Sequence, residues 1–477
     1  TAEAGASSCE AGADGVCEVD AAASAGPFQT ISVVLPCAEE REFAVNTVRS
    51  VYEMTPKEVL REIVVVDDGS KPPLTKKLLT KEIREQYGVN VIRHATTQGL
   101  IISKKHGGDA AQGDIVVFFD CHVAPQRNWY KEFLKLISEN YRRIVVPVIT
   151  DLDIDTWKQT RGSAGNKKCY LSWDADFKWF ESDDDVVPVL SGGLLGMSKR
   201  WWNETGGYDE GMYGWGGENI DQSLRSWLCG GEIMNARNSF VAHMWRKDDD
   251  PRTRRKYRHT GNVIQNKARA AVSWYGPFKE KLKDFPYFRV DRTDADGRPW
   301  YGDISNNMAV SRRLQCKPLV WYLHRFDNIY THAGVMPKKT FSLRLGKKGP
   351  CLTYLGYPGT NMQGRGEAVL QECEKGAWQQ KWHASNRDLS KPGNPCCSGL
   401  RVWNTDMCIE GVSDGKVQLY ACAIAGHHPM QQWRVSDGRL QRGPLSRRDE
   451  CIVADKSETL GLGACTGKKW SKFAGSE

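Results

Sequence analysis

The sequence predicts an α/β domain on a mainly parallel sheet, followed by a β-rich module of three repeated lobes. Three observations carry this. From Phe28 onward, strand-like apolar runs alternate with segments of helical spacing, and such alternation calls for a mainly parallel sheet with helices on both faces. Polar residues recur where the apolar runs stop, which is where open α/β sheets bind ligands. The C-terminal part repeats a Cys-apolar pair, a second Cys and a QxW-like element three times.

Taken in order, TISVVLP (30–36) reads as a strand rich in β-branched residues, and REFAVNTVRSVYEM (41–54) spaces its apolar residues as one helix face. EIVVVDDGS (62–70) is an apolar run closing on Asp67 and Asp68, and VNVIRH (89–94) is a third strand. A helix is expected around 99–112, then the strand IVVFFDCH (115–122), a helix near 128–140, and RIVVPVI (143–149). The run before Asp120 reads as a strand buried on both faces. Burying an unpaired carboxylate is costly, so Asp120 is expected where that strand leaves the sheet. Strand side chains alternate faces, so Asp120 and His122 point the same way where extended geometry persists. A hard carboxylate beside an imidazole suits a divalent cation; the alternative is a turn-capping aspartate next to a surface histidine.

Further along, Gly192-Gly193 permits close backbone approach to a ligand or simply a turn. WGGEN places Trp215, two glycines, Glu218 and Asn219 ahead of a helix, where Glu218 or Asn219 could equally serve the helix N-terminus. His243 ends a short apolar run, with Arg246 three residues on. Together these fragments supply metal ligands, an acid and a phosphate-pairing arginine. In the repeats, Cys351-Leu352 leads to Cys373 and Trp382, Cys408-Ile409 to Cys422 and Trp433, and Cys451-Ile452 to Cys465 and Trp470. Each lobe is expected to be stapled by its own disulfide, Cys351–Cys373, Cys408–Cys422 and Cys451–Cys465, and to give its tryptophan to a shared core.

The 477 residues suffice for two or three domains. The net charge of +8 rests on 66 basic and 58 acidic residues, so it permits anionic ligands without demanding nucleic acid. No arginine run interleaves with aromatics, and no nucleic-acid partner is expected. RKDDDPRTRRKYRH (246–259) reads as a solvated loop or as a phosphate-facing lid. Fifteen cysteines and the sequon Asn203-Glu204-Thr205 point to an oxidising, secretory compartment and a glycoprotein. Residues 1–27, rich in small residues, read as a stalk or linker. No signal peptide or long apolar span is visible; an anchor, if the protein has one, is expected upstream of this chain.

At this point the residues resemble a known family, the polypeptide N-acetylgalactosaminyltransferases. VVDDGS, QGLI, FFDCH, WDADFKW, SGGLL, GGYDEGMYGWGGEN, WLCGG and VAHMWRK carry the resemblance over roughly residues 28–470. It implies a Rossmann-like, nucleotide-sugar-binding GT-A catalytic domain at 28–330, a linker at 331–345 and a ricin-like β-trefoil lectin domain at 346–477. It implies manganese held by Asp120, His122 and His243, a uracil-recognising carboxylate at Asp68, and a diphosphate-pairing arginine at Arg246. Gly192 and Gly193 fall beside the donor sugar, and Trp215, Glu218 and Asn219 around the reaction centre, Glu218 in a supporting role rather than as nucleophile. Cys229 and Cys316 match a family disulfide.

Some positions depart from the family pattern. A uridine-side arginine falls on Thr97, a second basic position on Lys104, and Pro36 and Cys37 replace more typical residues at the first strand's end. A cysteine common before the third metal ligand is Asn238 here, so Cys9 and Cys17 are candidates to pair with each other or with Cys396 or Cys397. Lobes that bind GalNAc usually carry an aspartate where Thr353, Glu410 and Val453 stand, which leaves Glu410 as the candidate sugar site. The expected activity is retaining transfer of GalNAc from UDP-GalNAc to Ser or Thr of peptides or glycopeptides in the Golgi lumen, by a type II membrane protein. Naked peptides and peptides already bearing GalNAc are both open as acceptors, the altered lid and lectin lobes favouring the second. GalNAc glycans are expected partners of the lectin domain, the alternative being three lobes kept for folding alone. Two other readings fit the residues: a different UDP-sugar donor, and a non-catalytic glycan-binding protein.

Overall fold

The computed structural model describes residues 27–474 apart from 163–164, 166, 258–259, 333–334, 338, 360–364, 385–398, 423–428, 443–449 and 467. The pairings of Cys9, Cys17, Cys396 and Cys397, and the stalk up to residue 26, lie outside the described residues.

The N-terminal part is built on one nine-stranded sheet. Its elements are β1 (Ile31–Cys37), α1 (Glu42–Glu53), β2 (Leu60–Asp68), β3 (Val89–His94), α2 (Leu100–Ala110), β4 (Ile115–Phe118), β5 (Val123–Pro125), α3 (Tyr130–Glu139), β6 (Arg143–Asp153), β7 (Lys158–Arg161), β8 (Leu195–Ser198), α4 (Glu218–Leu228) and β9 (Glu232–His243). The order is β3-β2-β1-β4-β8-β6-β9-β5, with β7 on β6. β1 is parallel to β2 and β4, and β9 to β6; β8 runs antiparallel between β4 and β6. The C-terminal ends of β1, β2, β4, β6 and β9 therefore share one edge.

Strand periodicity of two divides the sheet's apolar residues between two cores. Val33, Leu35, Val65, Val117 and Phe119 meet Val48 of α1 and Phe133 of α3 on one face. Val34, Val64, Val66, Val116 and Phe118 meet Ile101 of α2 and Leu224 of α4 on the other. Both faces being apolar explains why these strands read as unbroken hydrophobic runs.

The C-terminal part has a separate core around Trp382, Trp433 and Trp470, with an eight-stranded and a four-stranded sheet. Its repeats adopt one geometry three times. The indole Nε1–H of Trp382 donates to the Leu352 carbonyl at 2.9 Å, that of Trp433 to Ile409 at 3.1 Å, and that of Trp470 to Ile452 at 3.1 Å. The structure joins Cys351 to Cys373, Cys408 to Cys422 and Cys451 to Cys465, and, in the N-terminal part, Cys229 to Cys316.

The stretch read as linker, 331–345, is corrected at both ends. Val335 is buried in the α/β core. Phe341–Leu345 is a strand of the C-terminal sheet, pairing antiparallel with Trp470–Ala474. Its alternation of apolar and polar residues, with Leu343 and Leu345 buried, is the half-buried strand pattern.

The two parts meet across a polar seam. Lys178 pairs with Asp406, Asn404 donates to Asp284 at 3.0 Å, and the Lys281 ammonium lies 4.2 Å from the Trp403 ring centre. His383 is buried there, and its Nδ1 has no hydrogen-bond partner. Burial, helped by nearby Arg401, pushes its pKa down to about 3. A group held neutral when folded and protonated at ordinary imidazole pH when unfolded contributes stability in full above pH 6.5. That stability is lost as pH falls toward the folded value, at about 1.4 kcal/mol per pH unit. His383→Leu will therefore lose less stability than the unaltered protein between pH 6.5 and pH 4.5, by roughly 2–3 kcal/mol, in denaturant unfolding at the two pH values. Equal losses would contradict the buried neutral imidazole.

Candidate active site

The shared strand edge collects the predicted residues into two groups. In the first, ligand atoms of Asp120, His122 and His243 all lie within 4.8 Å of one another. β4 ends at Phe118, and residues 119–122 leave the strand before β5 begins. Strand alternation thus does not bring Asp120 and His122 together; a bend does. That bend is held by a Cys37–Cys121 disulfide and by the Val123 amide donating to Thr47 Oγ1 at 3.2 Å. His243 arrives at the end of β9, and its Nε2 lies 3.1 Å from Asp120 Oδ2.

Burial alone would push the Asp120 pKa up, but the His243 hydrogen bond and the charges of His243, His122 and Lys104 hold it well below the usual carboxylate range. Burial lowers the His243 pKa, against the opposing pull of Asp120. Asp120 is thus held anionic while burial works against a proton on His243, the directions that favour metal binding by both. The buried Nδ1 of His243 has no partner within the protein.

Gly192 and Gly193 line this group. A Cβ on Gly193 would stand 3.3 Å from Asp120 Oδ2, and one on Gly192 would stand 3.2 Å from the Asn219 Cβ and 3.6 Å from Glu218 Oε1. The two backbones are held by the fully buried Lys104, whose ammonium donates to their carbonyls at 2.6 and 3.2 Å. Glu218 and Asn219 open α4; Asn219 donates to the Leu190 carbonyl at 2.9 Å. Glu218 is buried with Oε2 lacking a partner, and burial raises its pKa, partly offset by Lys104. Trp215 stays 47% exposed on the preceding glycine-rich loop.

The second group sits at the end of β2. Asp68 is buried and accepts from the Gln98 amide at 2.7 Å, the Gly99 amide at 2.8 Å and His94 Nδ1 at 2.7 Å; His94 Nε2 in turn lies 2.9 Å from His106 Nδ1. Thr97 Oγ1 donates to the Asp68 carbonyl at 3.3 Å. The groups are linked through backbone: the Ile101 amide donates to the Gly214 carbonyl beside Trp215.

Arg246, just past His243, pairs with Glu40, and its Nη1 reaches the Thr253 carbonyl at 3.4 Å. Of the acidic run after it, Asp250 lies 2.9 Å from the Arg252 guanidinium. Glu410 lies in the separate C-terminal core, where Gln418 and Gln431 donate to it at 3.0 and 2.9 Å; a cleft of about 430 Å³ opens instead beside Thr353 and Tyr357. Sequence reasoning missed Glu40, His94 and Trp245, whose ring lies 4.5 Å from that of His243. It also left Cys37, Cys121 and Cys169 unassigned, of which Cys169 is a buried thiol.

The sheet, with a carboxylate–imidazole cluster at its carboxyl edge, has the GT-A fold. The Glycosyl transferase family 2 profile matches residues 32–205, and that described as N-terminal domain of galactosyltransferase matches residues 186–246. The chain belongs to the polypeptide N-acetylgalactosaminyltransferase family. Polypeptide N-acetylgalactosaminyltransferase 11 of Xenopus tropicalis is 32% identical over 395 residues, covering 75% of this chain and 62% of the relative. Polypeptide N-acetylgalactosaminyltransferase 4 of Caenorhabditis elegans is 32% identical over 65% of this chain and 52% of its own. A Caenorhabditis briggsae relative named to the same family is 30% identical, covering 90% of this chain and 67% of its own. The crystal structure of GalNAc-T7 with UDP, GalNAc and Mn2+ shares the fold at a TM-score of 0.57 and 23% identity, over 94% of this chain and 82% of that one. The chain spans between about half and two thirds of the first relatives' length, 52% and 62% in these two cases.

Proposed function

We propose that the chain is a retaining, Mn2+-dependent transferase that moves GalNAc from UDP-GalNAc to Ser or Thr hydroxyls of peptides or glycopeptides. The observation that carries this is the convergence of Asp120, His122 and His243 at the sheet edge, within a chain of this family. One carboxylate and two imidazoles form a mixed donor set that suits a divalent ion with open positions, and the unpartnered His243 Nδ1 and the glycine-lined space beside Asp120 fit such a group. GalNAc-T7 was crystallised with UDP, GalNAc and Mn2+. A bound Mn2+ would supply Lewis-acid neutralisation of the departing diphosphate.

The protein's own residues do the rest. Arg246 offers the diphosphate a planar fork of donors. Asp68, oriented by two backbone amides and His94, presents a carboxylate to uracil N3–H, with Thr97 beside it. Gly192 and Gly193 let the donor sugar approach the backbone, and Lys104 holds their carbonyls in place. The acceptor hydroxyl attacks from the face that UDP leaves, so the site stabilises an oxocarbenium-like sugar by positioning and preorganised charge. Glu218 and Asn219 bound the sugar's space in supporting roles, and Trp215 overhangs it as a half-exposed loop residue.

On this reading residues 28–330 are the catalytic domain, extended to Val335 by its core. The C-terminal unit is a β-trefoil, supported by the threefold tryptophan bond, and binds GalNAc glycans with Glu410 as its candidate contact. The protein works in the Golgi lumen; among the described residues no helix is long and apolar enough to cross a membrane. The test is Mn2+-dependent transfer from a panel of UDP-sugars to paired naked and GalNAc-bearing peptides. Transfer from UDP-GalNAc alone, greater with the glycosylated peptide, is expected. Transfer from another UDP-sugar would replace the donor, and glycopeptide binding without transfer would make the chain a lectin on an enzyme's fold.

A further inference from the structure

The turn that follows β1 reaches the proposed metal site twice. Cys37, at the end of β1, is bonded to Cys121, the residue between Asp120 and His122. Three residues on, the Glu40 side chain is 5% exposed; its Oε2 lies 3.3 Å from Nδ1 of His122, and its Oε1 pairs with Arg246. Arg246 Nη2 lies 3.4 Å from that same imidazole nitrogen. A guanidinium has only donors, so the carboxylate is the one group of the three that can accept from both neighbours.

The turn is held to this position. Glu39 and Arg41, on either side of Glu40, have φ of 56° and 52°. Non-glycine residues persist in that region only where the surroundings hold them. The Glu39 amide donates to Ser70 Oγ at 3.2 Å, and Glu39 Oε1 accepts from the Lys71 amide at 2.8 Å.

We infer that Glu40, fixed by this turn and by the Cys37–Cys121 bond, is a positioning residue for the metal ligand His122. It accepts the Nδ1 proton, which sets the tautomer with Nε2 free for a metal, and it anchors Arg246 beside the same ring. A carboxylate behind a ligating histidine orients the ring and raises its basicity. This rests on the reading of Asp120, His122 and His243 as a metal site.

The experiment is Mn2+ titration followed by electron paramagnetic resonance, without donor or acceptor, on the unaltered protein and on Glu40→Ala, Glu40→Gln and Asp120→Ala, with thermal unfolding of each. Loss of such a partner typically costs 10–100-fold in metal affinity, and Glu40→Ala is expected to weaken Mn2+ binding by about that much. Glu40→Gln keeps an oxygen acceptor for Nδ1–H and is expected to recover most of the affinity, a rescue that a merely structural role would not produce. The paired Cys37→Ser/Cys121→Ser variant is expected to weaken binding less than Glu40→Ala. Unchanged Mn2+ affinity in Glu40→Ala, alongside its loss in Asp120→Ala, would overturn the inference alone. Unchanged affinity in Asp120→Ala would overturn the metal reading and this inference with it.

Discussion

Asp120→Ala will abolish Mn2+-dependent transfer and remove tight Mn2+ binding. Asp120 is the only carboxylate in the three-residue cluster, and it touches His243. Its charge is sustained in a setting that burial would otherwise discharge. Without it two imidazoles and no carboxylate remain, a poorer set for a hard divalent ion. A metal supplies several kcal/mol of charge stabilisation at a departing diphosphate. At 1.36 kcal/mol per tenfold, transfer should fall by roughly 10³-fold or more. Mn2+ affinity should fall further than the ~10–100-fold typical for residues that merely support a ligand. The Asp120 side chain is 21% exposed and belongs to neither apolar core, so the variant should fold. Near-normal transfer and Mn2+ affinity in a folded Asp120→Ala protein would exclude this site.

Trp382→Ala will destabilise the C-terminal unit by about 3–5 kcal/mol, the usual cost of emptying a core tryptophan site. Trp382 is fully buried, and its indole satisfies the Leu352 carbonyl, so the variant leaves a cavity and a buried acceptor unpaired. Calorimetry should show the C-terminal transition falling. Mn2+ affinity should hold, because Trp382 belongs to a core separate from those flanking the catalytic sheet. A small shift would mean that the three-lobe core does not depend on its repeated tryptophans.

Much of the architecture was legible because its signals are local. β1, β2 and β4 are legible as apolar runs, since each is buried on both faces, whereas β3, at the sheet's edge, mixes exposed polar residues into its run. The three lobes were legible as a repeat, and the repeat's cysteines and tryptophans make the same bonds three times. The strand Phe341–Leu345 is hard to tell from a linker although its alternation is readable, because it lies alone between the two patterned regions. At the site, Asp120 and His122 could be picked out because two chemically compatible residues sit two positions apart. The bend at residues 119–122, rather than strand alternation, brings them together.

What the order of residues settled without help was the strand and helix succession from β1 to β6, the short β5 excepted, the threefold C-terminal repeat, and the short motifs that mark the sheet's carboxyl edge. Each depends on interactions within a few residues, so periodicity records it. The tertiary fold alone settled which distant groups complete the site. His243 meets Asp120 across 123 positions, Cys37 bonds Cys121 across 84, and Glu40 reaches Arg246 across 206. Parallel strands bring their carboxyl ends to one edge wherever they lie in the chain, so such partners carry no sequence spacing that could reveal them.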